Sequence, residues 1–196
     1  RQELGVIQME VTGRPDGKRP HGCDSLLDYY EQKLQDHRIE HGTPNGFFLD
    51  ERDCELLRAE GVIYYYRYLA EFVLEDFAAV ERDTERNLRM MDFCAAHSAE
   101  SIDRQILEQY RPYVLMMHSR AQGQKALRGK APRAALAAVR RGIRNIRSFY
   151  HDIGHEEEIP NSGEIAVLQA FAKEIETLLP IDPMRALRKS LNQAVR

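Results

Sequence analysis

From Asp24 onward, apolar residues recur at spacings of three and four, the period of a helix with one buried face, and capping residues fall where such helices begin and end. Asp24 is expected to cap a first helix through Leu27, Tyr30 and Leu34, with Gly42 as its stop. Asp50, with Asp53 three positions on, opens a second through Leu57, Tyr64, Tyr68 and Phe72. A third is expected near Asp76, carrying Phe77, Val80, Leu88 and Met91. The fourth runs from about Ala99 through Ile106, Tyr110, Val114 and Met117, with a break or kink near Pro112. Pro132 starts a fifth, whose seam is Leu136, Val139, Ile143, Ile146 and Tyr150. Asn161 and Glu164 form a capping box for a sixth, with Ile165, Leu168, Ala172, Ile175 and Leu179 on one side. Asp182 and Pro183 open a seventh, on which Met184, Leu187, Leu191 and Val195 make an apolar stripe.

The pattern differs before Asp24. LGVIQMEVT, residues 4 to 12, alternates Ile7, Met9 and Val11 against Val6, Gln8 and Glu10, as a half-buried strand does. GRPDGKRPHG follows as a loop, with turn residues at Pro15, Asp16 and Gly17. The expected fold is therefore mainly α: a multi-helix bundle or a tetratricopeptide-like helical stack with one short N-terminal strand. It divides into a strand and loop (1–22), a helical domain (23–180) and a terminal helical element (181–196). Residues 75–91 align with 130–146 at only three identical positions, so the tetratricopeptide likeness is one of shape and not of motif.

A chain of 196 residues, 43% hydrophobic and 30% charged, suits a folded globular domain rather than a disordered one. Its apolar runs fall short of the roughly 18 residues that span a bilayer, and no membrane association and a cytoplasmic location are expected. The three cysteines, Cys23, Cys54 and Cys94, include no CxxC pair and read as reduced structural thiols. The chain opens at Arg1 rather than a methionine, and both ends are expected to continue in a longer protein.

Charge changes the picture more. Between Gln109 and His151 there is no acidic residue, while ten positive ones occur: Arg111, Arg120, Lys125, Arg128, Lys130, Arg133, Arg140, Arg141, Arg144 and Arg147. With a formal net charge of −3, the rest of the chain carries −13. Such a block either pairs internally with Glu75, Asp76, Glu81, Asp83 and Glu85, or attracts an external anion such as a nucleic-acid backbone. Arg140, Arg141, Arg144 and Arg147 are the candidate anion-binding residues.

The other motifs resolve into bland readings. His37 with His41, and His151 with His155, have the four-residue spacing that places two imidazoles on one helix face. Neither pair encloses the glutamate of HExxH, so they read as exposed histidines, and no metal or cofactor is expected. GRPDGKR has three residues between its glycines and no Ser or Thr after the lysine, which excludes a phosphate loop. The tyrosines of VIYYYRYLAEF read as helix packing. No GxSxG or other nucleophile motif appears, so no enzymatic activity is expected.

The terminal stretch PIDPMRALRKSLNQAVR resembles the first helix of the UVR motif, the helical hairpin shared by the excision-repair proteins UvrB and UvrC. Pro183, Leu187, Leu191 and Ala194 match that helix, while the second helix of the motif is absent. VTGRPDGKRPHG, SLLDYYE, FVLEDFAAVERDTERNLR and RGIRNIRSFY resemble the helical segment of bacterial UVR-motif-containing proteins. The resemblance implies protein interaction through the apolar face of the hairpin, with Met184, Leu187, Leu191 and Val195 as interface residues. The alternative is that this stretch docks on its own bundle. The expected function is a scaffold or adaptor that binds a protein partner or a second copy of itself. The runner-up is a repair-related nucleic-acid-associated protein that uses the basic 111–147 segment.

Overall fold

The computed structural model describes residues 8–179. Among these the fold is an all-α bundle of seven α-helices: α1 (Leu26–His41), α2 (Glu51–Val73), α3 (Phe77–His97), α4 (Ser101–Gln105), α5 (Arg111–Arg128), α6 (Pro132–Asp152) and α7 (Gly163–Thr177). Short 3₁₀ turns lie at Pro20–Gly22, Glu108–Tyr110 and Glu156–Asn161. The interaction element of residues 181–196 lies outside the described range.

Two apolar clusters hold the bundle. Leu27, Leu34, Leu49, Leu57, Met90, Cys94 and Val114 join α1 to the first half of α2, the second half of α3 and the start of α5. Tyr68, Val80, Met117, Val139, Ile146, Leu168 and Ile175 join the other ends of α2 and α3 to α5, α6 and α7. The α6 seam is as the periodicity implies: Leu136, Val139 and Ile146 are buried, and Ile143 and Tyr150 pack at its margin. Close approach of α5 and α6 depends on Gly142, where an added Cβ would lie 2.5 Å from the Ser119 Cβ and nearer still to its Oγ. Gly123 likewise admits Phe171 of α7, whose Cε1 would lie 2.7 Å from an added Cβ.

Several starts and stops match the sequence signals. Asp50 and Asp53 form a reciprocal capping box on α2, Asp76 caps α3 through the Ala79 N–H, and Gly42 ends α1 in the left-handed region at φ 71°. Three details differ, and the break expected near Pro112 is present. Ser25, not Asp24, caps α1, its hydroxyl accepting from the Asp28 N–H. Ser162, one residue beyond Asn161, caps α7 by accepting from the Ile165 N–H. The expected fourth helix is two helices with a 3₁₀ turn between them, and α5 restarts at Arg111 so that Pro112 falls in the first turn, where no N–H bond is lost. Residues 8–12 form no strand: the Glu10 N–H closes a turn onto the Pro15 carbonyl at 2.9 Å, and Val11 is exposed. Their alternation lacks a ladder, and the Glu10 and Gly13 carbonyls are instead bound by Arg67, each at 2.8 Å.

Candidate functional site

The acid-free segment folds as α5, its turn and α6, and much of its charge is matched from within. Arg111 binds Asp92 at 2.7 Å and Glu108 with two bonds of 2.5 and 2.7 Å. Lys125 pairs with Glu81 at 2.8 Å, and Arg128 grips both the carboxylate and the carbonyl of Glu75. Arg120 lies over the Phe72 ring, 4.5 Å from its centre. Asp83 contributes nothing here, because it is buried against Arg67 and Arg82.

The four candidate arginines of α6 are all exposed but do not act as one group. Arg140 reaches across to Glu176 of α7 at 2.7 Å, whereas Arg141 reaches the opposite way, donating to the Gln122 carbonyl of α5 at 3.1 Å. Arg144 and Arg147, four and seven positions beyond Arg140, continue its side of the helix. Arg133, seven positions before it, starts the same stripe. Among the described residues Arg133, Arg144 and Arg147 have no acidic partner.

Arg141 ends a polar seam that sequence inspection missed. Gln122 uses its carbonyl on Arg141 and its amide nitrogen on both Glu81 Oε1, at 2.9 Å, and His118 Nε2, at 3.0 Å. His118 Nδ1 stands 3.0 Å from the hydroxyl of Thr84, which is wholly buried and donates to the Val80 carbonyl at 2.6 Å. Since the Thr84 proton is thus committed, Nδ1 carries the imidazole hydrogen and Nε2 accepts from Gln122. Burial holds the His118 pKa below the ordinary histidine range.

A second polar group, also missed, lies inside the α2–α3 hairpin. Glu60, Tyr64, Arg67 and Glu71 share one face of α2 and meet Asp83, Arg86 and Asn87 of α3. Glu60 accepts from the Leu26 and Leu27 N–H groups at 2.8 and 3.3 Å, and from Arg86, while Arg14 lies 3.1 Å away. It thereby satisfies two orphan donors at the start of α1. The Arg86 and Arg67 guanidinium groups lie over Tyr64, 4.2 and 5.0 Å from its ring centre. Glu71 binds Arg82 at 2.9 Å, and burial pushes its pKa up to about 7. The detectable signal was charge recurring at helical spacing on the apolar face of α2.

The remaining motifs take structural positions. His37 and His41 lie ring to ring at 4.3 Å, and His37 Nε2 contacts the Asn45 carbonyl at 3.0 Å. His151 is on α6 and His155 lies beyond its end, past Gly154 at φ 72°. Among the described residues no group of three or more His, Cys, Asp or Glu has an arrangement that could hold a metal ion. The GRPDGKR loop turns Arg14 inward to Glu60. Tyr64 and Tyr68 are buried, and Tyr65 packs on Tyr68 and Tyr113. Cys54 and Cys94 are buried free thiols, and burial pushes Cys94 up to about 12, which leaves it unreactive. No helix among the described residues is long and apolar enough to cross a membrane. Met184, Leu187, Leu191 and Val195 lie outside the described residues. Comparison with family models, curated proteins and solved structures finds no match for this chain.

Proposed function

We propose that this protein acts by binding, as a helical scaffold or adaptor that recruits a protein partner or a second copy of itself through its UVR-like C-terminal element. The observation that carries this reading is the stripe Met184, Leu187, Leu191 and Val195, opposed on the same stretch by Arg185, Arg188, Lys189 and Arg196. A sequence of this length is marginal as an isolated helix in water and gains its stability from a surface that covers the stripe. The fold supports the reading by presenting a body of consecutively packed helices, α2 on α3 and α5 on α6 and α7, to which such an element is attached. Partner capture by the intact chain, compared with a Leu187→Asp/Leu191→Asp variant, tests it. The variant is expected to lose the partner while its body stays folded, and identical partner sets would remove the element from the proposal.

A second reading is favoured by one specific observation: the stripe of Arg133, Arg144 and Arg147, exposed and without acidic partners among the described residues. Such a row attracts a phosphate backbone by counterion release, and its affinity falls steeply with salt. Binding of a short duplex or single strand at low salt, lost on charge reversal of Arg140, Arg141, Arg144 and Arg147, is the expected result. No binding at low salt would overturn it.

A further inference from the structure

We propose that His118 and Gln122 form a proton-operated latch on Arg141: when His118 takes a second proton, the Gln122 amide turns over and frees the Arg141 guanidinium. The hydrogen-bond inventory sets up this exchange. Gln122 has one carbonyl and two N–H groups, and all three are committed, to Arg141, Glu81 and His118 Nε2 respectively. A proton added to Nε2 gives the imidazolium a donor where it now has an acceptor, facing the Gln122 NH₂. Two donors cannot share that contact.

The amide then relieves the conflict by placing its carbonyl toward Nε2–H. That rotation also gives up the bond to Glu81 Oε1, a carboxylate that keeps Lys125 and now faces the imidazolium, and it carries the NH₂ group toward Arg141, whose Nη2 loses its acceptor. Nδ1–H keeps its bond to the Thr84 hydroxyl throughout, because the Thr84 proton stays on the Val80 carbonyl. The imidazole therefore stays anchored while Gln122 moves.

The groups that face His118 set the direction. From α3, Glu81 and Glu85 favour the charged form; from α6, Arg141 opposes it; from α5, Lys125 is bound to Glu81 and weakens the pull of that carboxylate. Burial outweighs the rest and keeps the imidazole neutral at pH 7. The latch is thus closed near neutrality and opens on acidification. Its consequence for anion binding rests on the second reading above, since an Arg141 freed from Gln122 adds a charge on the α5 side of α6. The latch itself does not depend on that reading.

Proton and nitrogen magnetic resonance of the intact ¹⁵N-labelled chain tests the latch without any partner. The His118 ring nitrogens, the Gln122 side-chain amide and the Arg141 guanidinium are expected to report one shared midpoint, below the ordinary histidine value of about 6.5. In Gln122→Ala the His118 midpoint is expected to rise by about half a unit or more, because the donor that opposes protonation is gone, and the Arg141 inflection is expected to vanish. An Arg141 signal without an inflection at the His118 midpoint in the native chain would overturn the proposal, whatever the fate of the variant. So would an unmoved His118 midpoint in a folded Gln122→Ala chain.

Discussion

Arg67 grips Asp83 with two bonds, 2.6 Å from Nε and 2.8 Å from Nη2, across the seam between α2 and α3 where their side chains are 4% and 1% exposed. Arg67 spends its remaining nitrogen on the Glu10 and Gly13 carbonyls, so one guanidinium joins two helices and the N-terminal loop. Asp83→Asn removes the bidentate counter-ion of a buried cation and leaves it only Glu71, 3.6 Å away. We expect a loss of about 3–5 kcal/mol of unfolding free energy in urea titrations. Replacing both partners together by apolar residues is expected to cost less, because no charge is then stranded.

Glu71 gives the protein a pH dependence of defined sign. Its pKa is about 7 in the folded chain against 4.5 for a free glutamate side chain, so the folded state binds its proton more tightly than the unfolded state does. This contribution is fully present below pH 4.5 and is lost as pH rises through 7. At about 1.4 kcal/mol per unit the loss is at most about 3.5 kcal/mol. Unfolding free energy measured from pH 5 to 8 is expected to decline less in Glu71→Gln than in the native chain. Parallel curves would show that Glu71 titrates as an exposed carboxylate.

Gly142 marks the tightest helix contact. Gly142→Ala is expected to destabilise by about 1–3 kcal/mol despite the better helix propensity of alanine, since its Cβ intrudes on Ser119. Adding Ser119→Gly is expected to return part of that loss in thermal melts. An unchanged melting temperature for the single variant would mean that α5 and α6 can separate at no cost.

Most of the fold was legible because helix starts carry side-chain signals: Asp50, Asp76 and Gly42 act where their chemistry places them. The errors were local. Ser25 and Ser162 outcompeted neighbouring caps by one residue, whereas the break expected near Pro112 is present, with Pro112 in the first turn of the restarted helix. Residues 8–12 of the expected strand form none, because alternation over a few residues sets no pairing partner, and residues 4–7 lie outside the described range. The internal polar groups were not legible, because Arg67 with Asp83, or His118 with Thr84, become neighbours only when helices far apart in sequence pack together.

Arg144 and Arg147 are expected to be dispensable for folding. Both are exposed, and reversing both charges is expected to change unfolding free energy by no more than about 0.5 kcal/mol. A larger loss in urea titrations would show that the stripe serves the fold rather than a ligand.

The most direct measurement is quantitative partner capture by the intact chain beside Leu187→Asp/Leu191→Asp, with thermal melts confirming that both are folded. Loss of the captured partner, or of the self-associated species in sedimentation, is the expected outcome for the variant. Equal capture and equal sedimentation by the two folded chains would contradict an interaction role for the C-terminal stripe.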